Sequence, residues 1–131
     1  MSVRADDPGF VWLDPEFGQV IGQILQLRPG WAGPGSEAVT DNAIVGILEF
    51  IRRRLPLSSP RPSVVPTALG GLQLEWHLPG LDVEVEFDAA GRACDAAVAD
   101  ERRGIQVSSD ALWEVVDDLV TSLRQGEERA S

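Results

Sequence analysis

Residues 63–91 read SVVPTALGGLQLEWHLPGLDVEVEFDAAG, and their alternation decides the fold. Leu72, Leu74, Trp76 and Leu78 fall on one face of an extended chain, with Gln73, Glu75 and His77 on the other. Val83, Val85 and Phe87 then alternate with Asp82, Glu84, Glu86 and Asp88. A period of two, kept over both segments, is the pattern of strands buried on one face only. Directly opposed residues share a face, so the register must set apolar against apolar. Pairing Leu78 with Val83 does this and leaves Pro79-Gly80-Leu81-Asp82 as the loop. Trp76 then faces Val85, Leu74 faces Phe87, His77 faces Glu84 and Glu75 faces Glu86. Pairing Leu78 with Asp82 would set Trp76 against Glu84 and is rejected.

Working outward, Val64 to Ala68 reads as an edge strand, where Pro66 is tolerated, and Gly70-Gly71 as a hairpin turn. Asp88-Ala89-Ala90-Gly91 turns the chain into a small-residue strand spanning about 92–99. Its inward set is either Cys94, Ala96 and Val98 or Ala93, Ala97 and Ala99; the pattern leaves both open. Asp100 to Gly104 is a charged turn and Ile105 to Val107 a last short strand. Ser109 caps a closing helix to about Arg124, with Leu112, Val116, Leu119, Val120 and Leu123 inward.

Towards the N-terminus, Asp14, Pro15 and Glu16 start a helix: a capping side chain, a proline at the first position and an acid near the positive dipole end. Phe17, Val20, Ile21, Ile24, Leu25 and Leu27 form its stripe, and Pro29-Gly30 ends it. Gly18 and Gly22 cost about 1 kcal/mol each relative to alanine, which points to a close approach by another element. Trp31 to Ser36 is a rigid turn whose tryptophan is expected to plug the core. Ser36 caps a second helix over about 37–54, lined by Val39, Ile44, Ile47, Leu48, Ile51 and Leu55. Arg52, Arg53 and Arg54 close it, where positive charge suits the dipole. Prolines 56, 60, 62 and 66 make an extended link to the sheet. The expected fold is α+β: an antiparallel β-meander of about four to five strands, with two N-terminal helices and one C-terminal helix packed on one face. Residues 1–131 make a single domain, with 1–12 a loose arm, 13–124 the folded core and 125–131 a frayed tail.

The formal charge is −10 on 131 residues, and it is lopsided. Up to Leu74, seven acids meet six arginines; from Glu75 onward, fourteen acids meet five. Nucleic-acid binding through phosphates needs a basic surface, so the acidic half is unsuited to it, whereas a basic protein partner is well matched. There is no lysine and no tyrosine, which removes a phosphate-binding or Schiff-base lysine and a tyrosine acid. No apolar run approaches the ~20 residues of a membrane span. No signal peptide is visible, and with one cysteine, Cys94, a cytoplasmic location is expected.

The pattern W-x-G-x-G-S (Trp31 to Ser36), a helix, a proline-rich link, V-x-P-T-x-x-G-G-x-x-L-E-W (Val64 to Trp76), an acidic strand and D-x-x-G (Asp88 to Gly91) resembles a family of small uncharacterised bacterial proteins. The resemblance covers about residues 31–91. It implies a shared fold and a bacterial source, and it brings no activity and no site residues. Such sequences are expected to carry an aspartate after the tryptophan, where this chain has Ala32.

Chemistry concentrates on the outward sheet face. Glu75, His77, Asp82, Glu84, Glu86 and Asp88 are the candidate partner-binding residues. Like charges opposed across a strand pair are unfavourable, which invites a compensating cation. Glu75, His77, Glu84 and Glu86 form the alternative, a divalent-metal cluster capable of metal-assisted hydrolysis, although a flat strand face holds ligands poorly. A Cys94–His77 nucleophile pair would need both residues on one face and a third to orient the imidazole, and Cys94 among alanines reads as a small packed side chain. No catalytic residue and no cofactor is assigned. The leading expectation is a non-enzymatic protein-binding module of the antitoxin, immunity or accessory type. The alternatives are a metal-dependent enzyme and a structural homo-oligomer, a homodimer in its simplest form.

Overall fold

The structure, a computed structural model, describes residues 15–55 and 61–101 and the backbone of 105–109. The expected N-terminal arm, closing helix and frayed tail lie outside the described residues. Helix α1 (Pro15–Leu25) and helix α2 (Asp41–Arg54) precede five strands. These are β1 (Ser63–Pro66), β2 (Leu72–Leu78), β3 (Leu81–Phe87), β4 (Ala93–Asp100) and β5 (Ile105–Ser109), paired antiparallel in sequence order. The chain is therefore α+β, with its helices on one face of a meander.

Alternation in the central hairpin does what a period of two dictates. Leu72, Leu74, Trp76, Leu81, Val83, Val85 and Phe87 are all buried. They pack under Ala43, Ile44, Ile47, Phe50 and Ile51 of α2, while α1 adds Phe17 and Ile24 and touches β1. Phe50, absent from the expected stripe, sets its ring edge-on to Phe87 with centroids 5.3 Å apart. The register is two residues tighter than the sequence reading. Leu78 pairs with Leu81, so Trp76 faces Val83, Leu74 faces Val85 and Leu72 faces Phe87. Only Pro79 and Gly80 are left in the turn, where Gly80 takes φ +71° after a proline, the φ signs of a type II turn. A slip of two keeps every side chain on its face, so alternation alone could not tell the two registers apart.

The β3–β4 pairing settles the choice left open for the small-residue strand. Glu86 pairs with Asp95 but Phe87 with Ala93, so Cys94 is an extra, bulged residue. Ala93 packs beside Phe87, and beyond the bulge Ala96 and Val98 point inward, so parts of both expected sets face the core.

Three local expectations are corrected. Helix α2 begins at Asp41 and not at 37, because Thr40 is the cap: its hydroxyl accepts from Ala43 N at 3.0 Å and donates to Ala89 O at 2.5 Å. Ser36 instead closes its own turn, donating to Gly33 O at 2.7 Å and accepting from Ala32 N at 3.0 Å. Trp31 is half-buried and is no core plug; its Nε1 donates to Glu37 O at 2.8 Å, tying the turn to the segment after it. That segment docks on the β1–β2 turn, with Glu37 N donating to Ala68 O at 2.8 Å and Thr40 N to Gly70 O at 3.1 Å. Among the described residues, nothing approaches within 4 Å of where a side chain at Gly18 or Gly22 would sit. The close approach lies elsewhere, between Gly46 of α2 and Gly91 of the β3–β4 turn, where a Cβ on either would overlap the opposing backbone.

Candidate protein-binding face

The sheet face turned away from the helices collects acids because three neighbouring strands each present their polar set to it. β2 contributes Gln73, Glu75 and His77, β3 contributes Asp82, Glu84 and Glu86, and β4 contributes Asp95. Glu75 stands directly opposite Glu84, and Glu86 directly opposite Asp95, so two pairs of like charges face each other across the ladder. Each opposition costs some tenths of a kcal/mol in an exposed sheet. The described arginines belong to other segments: Arg28 follows α1, Arg52, Arg53 and Arg54 end α2, and Arg61 and Arg92 precede β1 and β4. Arg92, the nearest in sequence to the acids, lines a pocket beneath α2 on the opposite side.

Among the described residues, His77 is the one basic group on this face, and it is more than half exposed. Its Nδ1 lies 2.8 Å from Asp82 Oδ1 and its Nε2 2.9 Å from Glu75 Oε1. With a carboxylate at each nitrogen, the doubly protonated ring can donate twice, whereas a neutral ring leaves one lone pair facing an anion. The hydrogen bond to Asp82, followed by that to Glu75, therefore raises the imidazole pKa above its ordinary value. Glu75 is further held by Gln73 Nε2, which donates to its Oε2 at 3.3 Å.

The six residues singled out in the sequence are thus placed as follows. Glu75, His77 and Asp82 form one hydrogen-bonded chain; Glu84 and Glu86 project beside it. His77 faces Asp82 and not Glu84, and Glu75 faces Glu84 and not Glu86, both consequences of the tighter turn. Asp88 serves the β3–β4 turn: its Oδ1 accepts from Ala90 N and Arg92 N, each at 3.0 Å. Asp95, missed in the sequence, joins the face because it alternates with the inward Ala96 and Val98 and pairs with Glu86. The Cys94 thiol points at Glu86, 3.7 Å from Oε2 and 3.5 Å from the backbone oxygen. Burial first, and then the charge of Glu86, push the thiol pKa up, which suppresses the thiolate that a nucleophile needs.

Among the described residues, no three His, Cys, Asp or Glu side chains are arranged to hold a metal ion. The cleft between Glu84, Glu86 and Asp95 encloses only about 30 Å³, far less than a small-molecule site requires. What the face offers is extended negative charge on a rigid sheet. No described helix is long and apolar enough to cross a membrane. In comparison with known proteins, no family model matches the chain, and neither a curated protein nor a solved structure is significantly similar to it.

Proposed function

We propose that the protein is a non-catalytic binding module of the antitoxin, immunity or accessory type, which presents the outward face of its sheet to a basic partner. The observation that carries this reading is the set of directly opposed carboxylates, Glu75 with Glu84 and Glu86 with Asp95. A partner's arginine or lysine side chains would offset the repulsion within the sheet and gain charge-assisted hydrogen bonds. The strands fix the carboxylates before the partner arrives, so little ordering cost falls on this side of the interface. The Trp31–Ser36 turn and the Pro66–Trp76 hairpin are the basis for placing the chain in a family of small bacterial proteins, and the single cysteine suits a reducing cytoplasm.

Parallel capture from a soluble extract of the encoding organism tests the reading. The parent chain and the Glu84→Gln/Glu86→Gln variant serve as baits, and retained proteins are identified by mass. A strongly basic protein held by the parent and depleted on the variant is expected. Equal retention by both baits, or retention of acidic proteins only, would contradict the proposal.

A further inference from the structure

A pocket of about 370 Å³ lies on the helix side of the sheet, between the last turns of α2 and the start of β4. Its floor is apolar: Phe50 and Phe87 meet edge to face there, with Ala93 beside them. Among the described residues its rim carries Arg53, Arg54 and Arg92 against a single acid, Glu49, a local balance of +2 in a chain of formal charge −10. Charge complementarity with the dipole of α2 accounts for arginines in its last turn. It does not account for Arg92, which belongs to the β3–β4 turn and is brought to the same rim by the Gly46–Gly91 contact. Arg53 is steadied by Glu49, 3.2 Å away, which occupies only part of its five-donor fork. Arg92 has no carboxylate within ion-pair distance among the described residues.

We propose that this pocket binds a small organic anion with a flat apolar body, the body against Phe50 and Phe87 and the carboxylate or phosphate between Arg53 and Arg92. Both halves of the ligand follow from the lining. A simple ion would leave the aromatic floor unused, and a neutral body would leave the guanidinium forks unmatched. The volume falls in the range of small-molecule sites, which combine an apolar lining with a few placed polar groups. Planar guanidinium groups suit a carboxylate or phosphate better than ammonium groups do, and this chain has arginine alone for the task. The pocket is on the side of the sheet opposite the acidic face, so the two sites stand or fall separately.

A titration of the full chain with 2-naphthoate, followed by amide NMR, tests the proposal; 2-naphthylmethanol and inorganic phosphate serve as comparators. Saturable shifts centred on the amides of Gly46, Gly91 and Ala93 are expected, with naphthoate binding at least about tenfold more tightly than either comparator. Arg53→Gln/Arg92→Gln should weaken naphthoate by about tenfold or more while the other amides keep their positions; Arg92→Gln alone gives the same sign if the double variant is poorly folded. Equal binding of the alcohol would reduce the pocket to an apolar groove, and equal binding of phosphate would reduce it to an adventitious ion only. Either result, or shifts scattered away from the pocket, overturns the proposal.

Discussion

His77 and Asp82 stand directly opposite each other across β2 and β3, with imidazole Nδ1 2.8 Å from the carboxylate. Together with Glu75 on the other ring nitrogen, this arrangement favours the imidazolium, so the folded pKa lies above 6.5. A raised folded pKa means that the contribution to stability is complete below about 6.5 and is lost as pH rises through the folded value. His77 and Asp82 are exposed, so the effect is small, a few tenths of a kcal/mol. This is the only histidine in the chain, and its ring protons can be titrated directly by NMR. Asp82→Asn should lower the midpoint more than Glu75→Gln does. A midpoint at or below 6.5 in the parent would show that the carboxylates do not hold the ring.

The contact between Gly46 and Gly91 yields a contrast within the helices. Gly46→Ala forces α2 off the β3–β4 turn and should destabilise by about 1–3 kcal/mol or more, as overpacking does. Gly18→Ala meets nothing among the described residues and should stabilise by up to about 1 kcal/mol through helix propensity. Urea denaturation of the two variants checks both signs; the same sign in both would refute this account of helix packing.

The tryptophans should differ likewise. Trp76 is 1% exposed at the centre of the sheet, and Trp76→Ala should cost about 3–5 kcal/mol, enough to unfold much of a marginal domain. Trp31→Phe loses one hydrogen bond at a half-buried site and should cost about 1 kcal/mol. Equal losses in thermal or chemical unfolding would mean that Trp31 is as deeply packed as Trp76.

Cys94 offers a check on the electrostatics of the acidic face. Burial and the neighbouring Glu86 raise its pKa, so alkylation by iodoacetamide at pH 8 should be slower than for a free cysteine. Glu86→Gln should accelerate it. A parent rate matching free cysteine would show that neither influence reaches the thiol.

The partition of side chains between the two sheet faces was legible in the sequence, because alternation survives any even slip of register. The slip itself was not. Whether Leu81 belongs to the loop or the strand depends on the Pro79-Gly80 turn, and both choices leave Trp76 inward. The same limit applies to the site: alternation puts Glu75, His77, Asp82, Glu84 and Glu86 on one face, while their cross-strand neighbours follow from the turn. Asp95 depends on which small-residue set faces inward, a choice that a run of alanines does not make; only the set with Ala96 and Val98 inward turns it to the acidic face. Ser36 and Thr40 are both competent caps, and only the docking of residues 37–40 on the β1–β2 turn explains why Thr40 starts the helix. The opposing glycines 46 and 91 are forty-five residues apart in sequence, beyond the reach of any local pattern.

Whether the acidic face recruits a basic partner can be read from its rate of association with the parent and with Glu84→Gln/Glu86→Gln, measured by stopped flow at two salt concentrations. Both glutamates project away from Val83, Val85 and Phe87, so the variant should remain folded. Attraction between opposite charges speeds encounter and is screened over about 8 Å at physiological ionic strength. The variant should associate several-fold more slowly at low salt, with a smaller change in dissociation and a flatter salt dependence of association. Association rates and salt dependence identical to those of the parent would contradict recruitment by this face and leave the acidic strands a solubilising surface.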